Sequence, residues 1–342
     1  MKLCRYEVQN ALGHKLAHSH KGESRRIPKA SILADSDIQD LLAAGIGSVE
    51  IVVPDSGDVI EDVVADRLIS QMTWANCKSE RANGGRFNIY ASCDGLFHFE
   101  REQVDSFNSI SEEITLATIL PETPVYAGEH VATLKIIPFY VDGNCVDKAE
   151  DFLRSMSVAV MPWRSDLKIE LIQSYNETIT RKAQEKAHQI QSNRIRFYGM
   201  SDLPHSLVRH DVGAIANEIR GASSRGVDVL MVLGASAICD RQDIVPAALN
   251  SAGGDVTYFG MPVDPGNLMM VGCLGEMVMI GMPGCVRSPA LNGLDLVLDR
   301  LIAGLKISSS DIQRMGVGGL LRSQPNRVVR QEANPSLLDL SA

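Results

Sequence analysis

No apolar run reaches the ~18 residues that a membrane-spanning helix needs. Positive charge is not in excess either: 33 Lys+Arg against 42 Asp+Glu gives a formal net charge of −9. Such a chain has no overall attraction to nucleic acid or to an anionic membrane, so an anionic ligand would have to be held by local arginines, lysines and backbone amides. The seven cysteines (Cys4, Cys77, Cys93, Cys145, Cys239, Cys273, Cys285) are scattered, odd in number and never in a C-x-x-C pair. That pattern argues against a disulfide framework or a structural zinc site and for a reducing compartment. The first residues, Met1 to Glu7, are charged and carry no apolar h-region, so the expected location is cytoplasmic. G-x-S-x-G, H-E-x-x-H and P-loop patterns are missing, and so are internal repeats and low-complexity segments.

The length of 342 residues is enough for two domains, and a hydrophobic fraction of 45% is ordinary for globular chains. The most informative stretch runs from Val227 to Asn292. It opens with a short β-branched-rich run, Val227 to Leu233, which predicts a buried strand. A small-residue turn (Gly234, Ala235, Ser236, Ala237) follows. Asp243 then sits at the N-cap of a helix through Leu249, with Pro246 harmless in its first turn. A second loop covers residues 261–267. A third covers 281–288, between a strand at 277–280 and an apolar helix expected from Pro289. Three loops that each follow a strand gather at one edge of a parallel sheet.

Upstream, residues 167–172 predict a strand, 173–178 a polar loop and 179–192 a helix. A second strand is expected at 194–198 and a second helix at 208–222. Strands alternating with helices imply a mostly parallel sheet covered on both faces. The first 165 residues read as a mixed α+β region. Short strands are expected around the Lys21-Gly22 turn and at 49–53, helices at 37–44, 60–72 and 102–110, and a hairpin at Asp94-Gly95. Residues 146–165 read as a charged linker. His14, His18 and His20 suggest a metal cluster by spacing, but the alternation around them favours surface histidines. The polar stretch from Arg322 reads as a tail.

The ordered set of Gly-Ala-Ser at 234–236, Asp-Ile-Val-Pro-Ala-Ala-Leu at 243–249, Asp-Pro-Gly-Asn at 264–267 and Met-Pro-Gly-Cys-Val-Arg-Ser-Pro at 282–289 resembles the molybdopterin-binding domain. That domain is shared by molybdopterin adenylyltransferases and molybdopterin molybdotransferases of molybdenum-cofactor biosynthesis. The N-terminal half resembles the same group through Gly13-His-Lys-Leu-Ala-His18, Asp37 to Gly45, Asp94-Gly95-Leu96 and Ala132 to Pro138. The resemblance implies an α/β fold: a three-layer, mostly parallel sheet over residues 166–306. A mixed α+β region over 1–165 precedes it, and a C-terminal extension, expected to be partly disordered, covers 307–342. It also implies a homo-oligomer.

By resemblance, Gly234, Ala235 and Ser236 would donate to a phosphate at the helix N-terminus, or simply form a tight turn. Asp243, with Asp240 as the neighbouring alternative, is the catalytic candidate. Asp243 is also the metal candidate: it would hold Mg²⁺, or cap its helix. Glu177 and Thr178 stand where the enzymes bind ligand at the first loop. Pro283, Gly284, Arg287 and Ser288 match the Pro-Gly turn, and Arg287 would pair with phosphate or face solvent. Cys285 would meet a dithiolene sulfur or be a small buried side chain. At Asp264, Pro265, Gly266 and Asn267 the molybdotransferases typically carry Lys-Pro-Gly-Lys, so both lysines are absent here. Asp264 would repel molybdate or phosphate and instead accept hydrogen bonds from a pterin edge.

Two functions follow from the resemblance. One is a carrier that binds molybdopterin, or its adenylated or cytidylated derivative, and presents it to a nucleotidyltransferase or a molybdoenzyme. The other is a transferase, an adenylyltransferase or a molybdate-inserting enzyme, using ATP and Mg²⁺ held by Asp243. The missing lysines favour the carrier; the retained aspartates favour the transferase.

Overall fold

In the computed structural model, residues 1–321 are described, in two units that divide between Pro162 and Trp163.

The first unit begins with a small antiparallel sheet of Lys2–Glu7, Ser48–Val53 and Lys15–Leu16. The helix Asp35–Ala43 packs on it over a core of Val8, Leu16, Ile27, Leu41 and Ile51. Gly45 ends that helix at φ +73°, a conformation glycine adopts without strain. Two four-stranded sheets follow. One is ordered Thr123–Val125, Gly95–His98, Ser157–Pro162, Thr73–Ala75, and the other Ile114–Thr118, His130–Ile136, Arg86–Ala91, Cys77–Ala82. The helices Glu61–Gln71, Arg101–Asn108 and Gly143–Leu153 share their core, which includes Ile89, Phe97, Phe107 and Val146.

Two expectations fail here for physical reasons. Asp94-Gly95 is not a hairpin turn: Arg86–Ala91 and Gly95–His98 belong to different sheets. Gly95 is required instead by strand packing, because a Cβ there would run into the Met161 carbonyl across the ladder. The segment 146–165 is not a linker. Val146, Ala149, Leu153, Val158 and Val160 are buried, and Ser157–Pro162 is an inner strand.

The second unit is built on one six-stranded sheet. Its order is His205–Arg209, Ile169–Tyr175, Val229–Leu233, Met277–Met282, Met270–Leu274, Asp255–Phe259. The first four strands are mutually parallel. Met270–Leu274 is antiparallel to both its neighbours, so Asp255–Phe259 runs with the parallel set. Strand 229–233 is buried along its whole length, as a near-continuous apolar run in a parallel sheet should be. Its side chains alternate between two cores. Val229, Met231 and Leu233 meet residues of helices Arg181–Arg196, Gly293–Ile302 and Ser309–Arg314. Leu230 and Val232 meet residues of Val212–Ser224 and Ile244–Ala252. Residues 307–321 are part of this unit: Ile312 and Met315 sit in the first of these cores. The tail expected from Arg322 lies outside the described residues.

Residues 194–198 are not a strand. The helix continues to Arg196, placing Arg194, Ile195 and Tyr198 on one buried face. The strand that replaces it, 205–209, is an edge strand with alternating exposure, so its composition is polar. The helix expected from Pro289 starts at Gly293. Asn292 accepts the Leu294 N–H (2.9 Å), and Asp295 accepts the Asn292 N–H (2.8 Å). No helix among the described residues is long and apolar enough to cross a membrane.

Candidate functional site

Five loops leave the sheet at the carboxyl ends of 169–175, 205–209, 229–233, 255–259 and 277–282. The helices after 169–175 and 277–282 pack in one core, and the helix after 229–233 packs in the other. The loop after 229–233 therefore diverges from both of its neighbours. Divergence at strand ends opens the crevice in which open α/β sheets hold ligands.

Residues 234–236 form the start of that diverging loop. Gly234 is fixed by space: a Cβ there would lie 2.9 Å from the Ser236 carbonyl oxygen and 3.3 Å from Val245 Cγ2. Ser236 is exposed, and the N–H groups of Ser236 and Ala237 make no hydrogen bond among the described residues. The Ala235 N–H donates to Ser174 Oγ at 3.0 Å.

Arg287 reaches the same loop from the neighbouring strand end. Its Nη2 donates to the Gly234 carbonyl at 3.0 Å. The guanidinium is half-buried and has no carboxylate partner among the described residues, and burial pushes its pKa below the ordinary value.

The turn that carries Arg287 is held from beneath by helix 181–196. Gln191 Nε2 donates to the Val286 carbonyl (2.8 Å), and Arg194 donates to the carbonyls of Val286, Ser288 and Ala290. Arg194 Nε also donates to Asp295 Oδ1 at 2.8 Å in a pair that is almost fully buried. Pro283 is buried, whereas Gly284 and Ser288 are exposed. Cys285 is half-buried, and burial pushes its thiol upward.

Asp243 precedes its helix but does not cap it with its side chain. Its Oδ2 instead accepts the N–H groups of Cys239 (2.5 Å) and Asp240 (2.8 Å), closing the end of the 234–243 loop. Asp240 Oδ1 accepts the Gln242 N–H at 2.7 Å. Asp243 Oδ1 makes no hydrogen bond among the described residues. Those residues contain no group of three or more His, Cys, Asp or Glu arranged to hold a metal ion.

Glu177 and Thr178 lie in the exposed loop after 169–175, where Asn176 Oδ1 accepts from the Thr178 N–H and hydroxyl. The helix there is capped by Thr180, one turn past Asn176. Asp264, Pro265 and Gly266 sit further along the edge. The Gly293 N–H donates to the Pro265 carbonyl (2.9 Å), and Asp264 bridges through its backbone to Gly319 and Leu321. Gly266 has φ +142°, a backbone conformation reserved for glycine. The geometry thus brings 234–236 and Arg287 into contact, with 283–288 around them. Asp264 is tied to residues 319–321, and Pro265 to the start of helix 293–302, rather than to the 234 loop.

Sequence reasoning did not select His210. Its ring sits between two serines, 2.8 Å from Ser174 Oγ through Nδ1 and 2.8 Å from Ser236 Oγ through Nε2. Burial lowers its pKa, and the nearby charge of Asp243 partly opposes this. No local motif announces the row, because its members come from three separate strand ends. Arg194 and Gln191 were missed for a similar reason, since their partners lie about a hundred residues downstream.

No family model matches the chain, and no curated protein matches it. Solved structures do. The molybdopterin biosynthesis Mog protein from Mycobacterium ulcerans aligns at 16% identity and a TM-score of 0.27, covering 40% of this chain and 94% of its own. A molybdopterin biosynthesis moea protein from Pyrococcus horikosii aligns at 9% identity and a TM-score of 0.26, covering 83% of this chain and 70% of its own. A molybdenum cofactor biosynthesis protein from Pyrococcus furiosus aligns at 10% identity and a TM-score of 0.23, covering 90% of this chain and 66% of its own. Scores at this level fall below what establishes a common fold.

Proposed function

We propose that the second unit, a helix–sheet–helix three-layer domain, binds molybdopterin or its adenylated or cytidylated derivative. In this reading the protein acts as a carrier in molybdenum-cofactor biosynthesis or delivery. The observation that carries the reading is Arg287: a half-buried cation at the diverging strand ends, bonded to the neutral Gly234 carbonyl and lacking a carboxylate partner among the described residues. A buried charge is costly until it is paired, and a phosphate in the crevice would pair it bidentately. Ser236 and the free N–H groups of Ser236 and Ala237 supply further donors to the same phosphate. Pro283, Gly284 and Ser288 would wall the site, with Glu177 and Thr178 facing it from the adjacent loop. Asp264 would accept from the amine and amide N–H groups of the pterin. The absence of lysine at 264 and 267 supports carriage over molybdate insertion.

The free Oδ1 of Asp243 favours a second reading. One carboxylate oxygen together with ligand phosphates is a normal Mg²⁺ donor set, so the residues fit the ion. There Mg²⁺ would supply charge neutralisation for nucleotidyl transfer with ATP, and Asp243 would position it with Asp240 alongside. Arg287→Ala separates either reading from a mere structural loop. The variant should stay folded by circular dichroism and bind molybdopterin roughly 10- to 100-fold more weakly. Unchanged affinity would remove Arg287 from the site.

A further inference from the structure

The row Ser174–His210–Ser236 has a direction that hydrogen-bond accounting fixes. Ser174 is 2% exposed, at the inner end of the row. A hydroxyl has one proton and two lone pairs. The Ala235 N–H occupies one lone pair of Ser174 Oγ. Among the described residues, the remaining partner of that oxygen is His210 Nδ1. If Nδ1 carried a proton, the buried hydroxyl proton of Ser174 would have no acceptor, which costs more than a made bond returns. Ser174 therefore donates to Nδ1, the neutral ring carries its proton on Nε2, and Nε2–H donates to Ser236 Oγ. The proton of Ser236 is then free to point away from the ring. A ring already protonated at Nε2 cannot accept a proton from Ser236, so the pair is not set up to generate a serine nucleophile.

We propose that Ser174 and His210 are positioning residues that hold Ser236 as a hydrogen-bond donor toward a tetrahedral oxyanion bound beside Arg287. Their effect is to leave the Ser236 proton available to an accepting oxygen, such as that of an ionised phosphoryl group or molybdate. The ligand class rests on the function proposed above; the tautomer does not. Gly234 keeps the row close, because a Cβ there would sit 3.6 Å from His210 Cε1 and press on the Ser236 carbonyl.

The test is long-range ¹H–¹⁵N NMR of the full chain with ¹⁵N-labelled histidine at pH 7.5, His210 being assigned by its loss in His210→Gln. The expected signal is a neutral ring protonated at Nε2, and Ser174→Ala should mix the two tautomers. In parallel, inorganic phosphate and molybdate are titrated calorimetrically. Ser236→Ala and His210→Phe should weaken binding about tenfold or more. His210→Gln keeps an acceptor for Ser174 and a donor for Ser236, so it should bind within about threefold of the parent. A ring protonated at Nδ1, a tautomer unmoved by Ser174→Ala, or oxyanion binding insensitive to Ser236→Ala would each overturn the proposal. Binding of molybdopterin with none of these sensitivities would overturn it while leaving the carrier reading intact. No binding of molybdopterin, with the tautomer and oxyanion effects as expected, would reject the carrier reading alone.

Discussion

Replacing Arg194 with methionine tests how the crevice is built. The two side chains of the Arg194–Asp295 pair are 7% and 3% exposed. Removing the arginine strands the Asp295 carboxylate, because Oδ1 loses its partner and only Oδ2 keeps a bond, to the Asn292 N–H. It also frees the Ser288 carbonyl, whereas Val286 keeps Gln191 and Ala290 keeps Asn292. Breaking a buried pair by removing one partner costs about 3–5 kcal/mol, a large share of a domain's total stability. Trp163 packs edge-on against Tyr198 in the second unit and reports locally. The other tryptophan, Trp74, is replaced by phenylalanine to silence the first unit. With a urea slope of about 2 kcal/mol/M, the midpoint of Arg194→Met should fall by about 1.5–2.5 M. Adding Asp295→Asn removes the stranded charge but keeps an acceptor for the Asn292 N–H, so the double variant should recover at least half of the loss. A single variant within about 1 kcal/mol of the parent, or a double variant no better than the single, would refute the reasoning.

Three further outcomes are expected. Gly234→Ala should cut molybdopterin affinity while the unit stays folded, because the new Cβ must displace the Ser236 carbonyl; an equal dissociation constant would show that the loop yields freely. Asp243→Ala should raise hydrogen exchange at the Cys239 and Asp240 amides and, if the protein is a transferase, abolish Mg²⁺-dependent turnover; a folded variant with full activity would remove Asp243 from catalysis. His205 and His210 both titrate below the ordinary histidine value, chiefly because of burial. The unfolded chain then binds more protons between their folded and unfolded pKa values, so the second unit should lose stability as pH falls from about 6.5 through the folded values. His210→Asn should flatten that loss in acid titrations followed by Trp163, and an unchanged slope would count against it.

The parts of the fold that were legible in the sequence are those decided locally. Strand 229–233 is an apolar run buried on both faces, and helix 244–252 begins where Asp243 and Pro246 mark a start. What was illegible depends on partners far away in the chain. Arg194 to Tyr198 alternates polar and apolar as a strand would, yet Arg194 points inward because Asp295 awaits it and Tyr198 because Asp299 does. Strand 205–209 lies at a sheet edge and so lacks the apolar composition that identifies inner strands. The 146–165 region read as a linker because helix 143–153 exposes its charged face, while Val146, Ala149 and Leu153 form the buried one. At the site, the three loops were legible as Gly- and Pro-rich turns. The Ser174–His210–Ser236 row was not, since only the sheet order places those strand ends side by side.

The most direct test is calorimetric titration of the purified protein with molybdopterin, with and without ATP, Mg²⁺ and molybdate. The account predicts tight binding that Arg287→Ala weakens, with no ATP consumed and the pterin recovered unchanged. Absence of binding under every condition would contradict it.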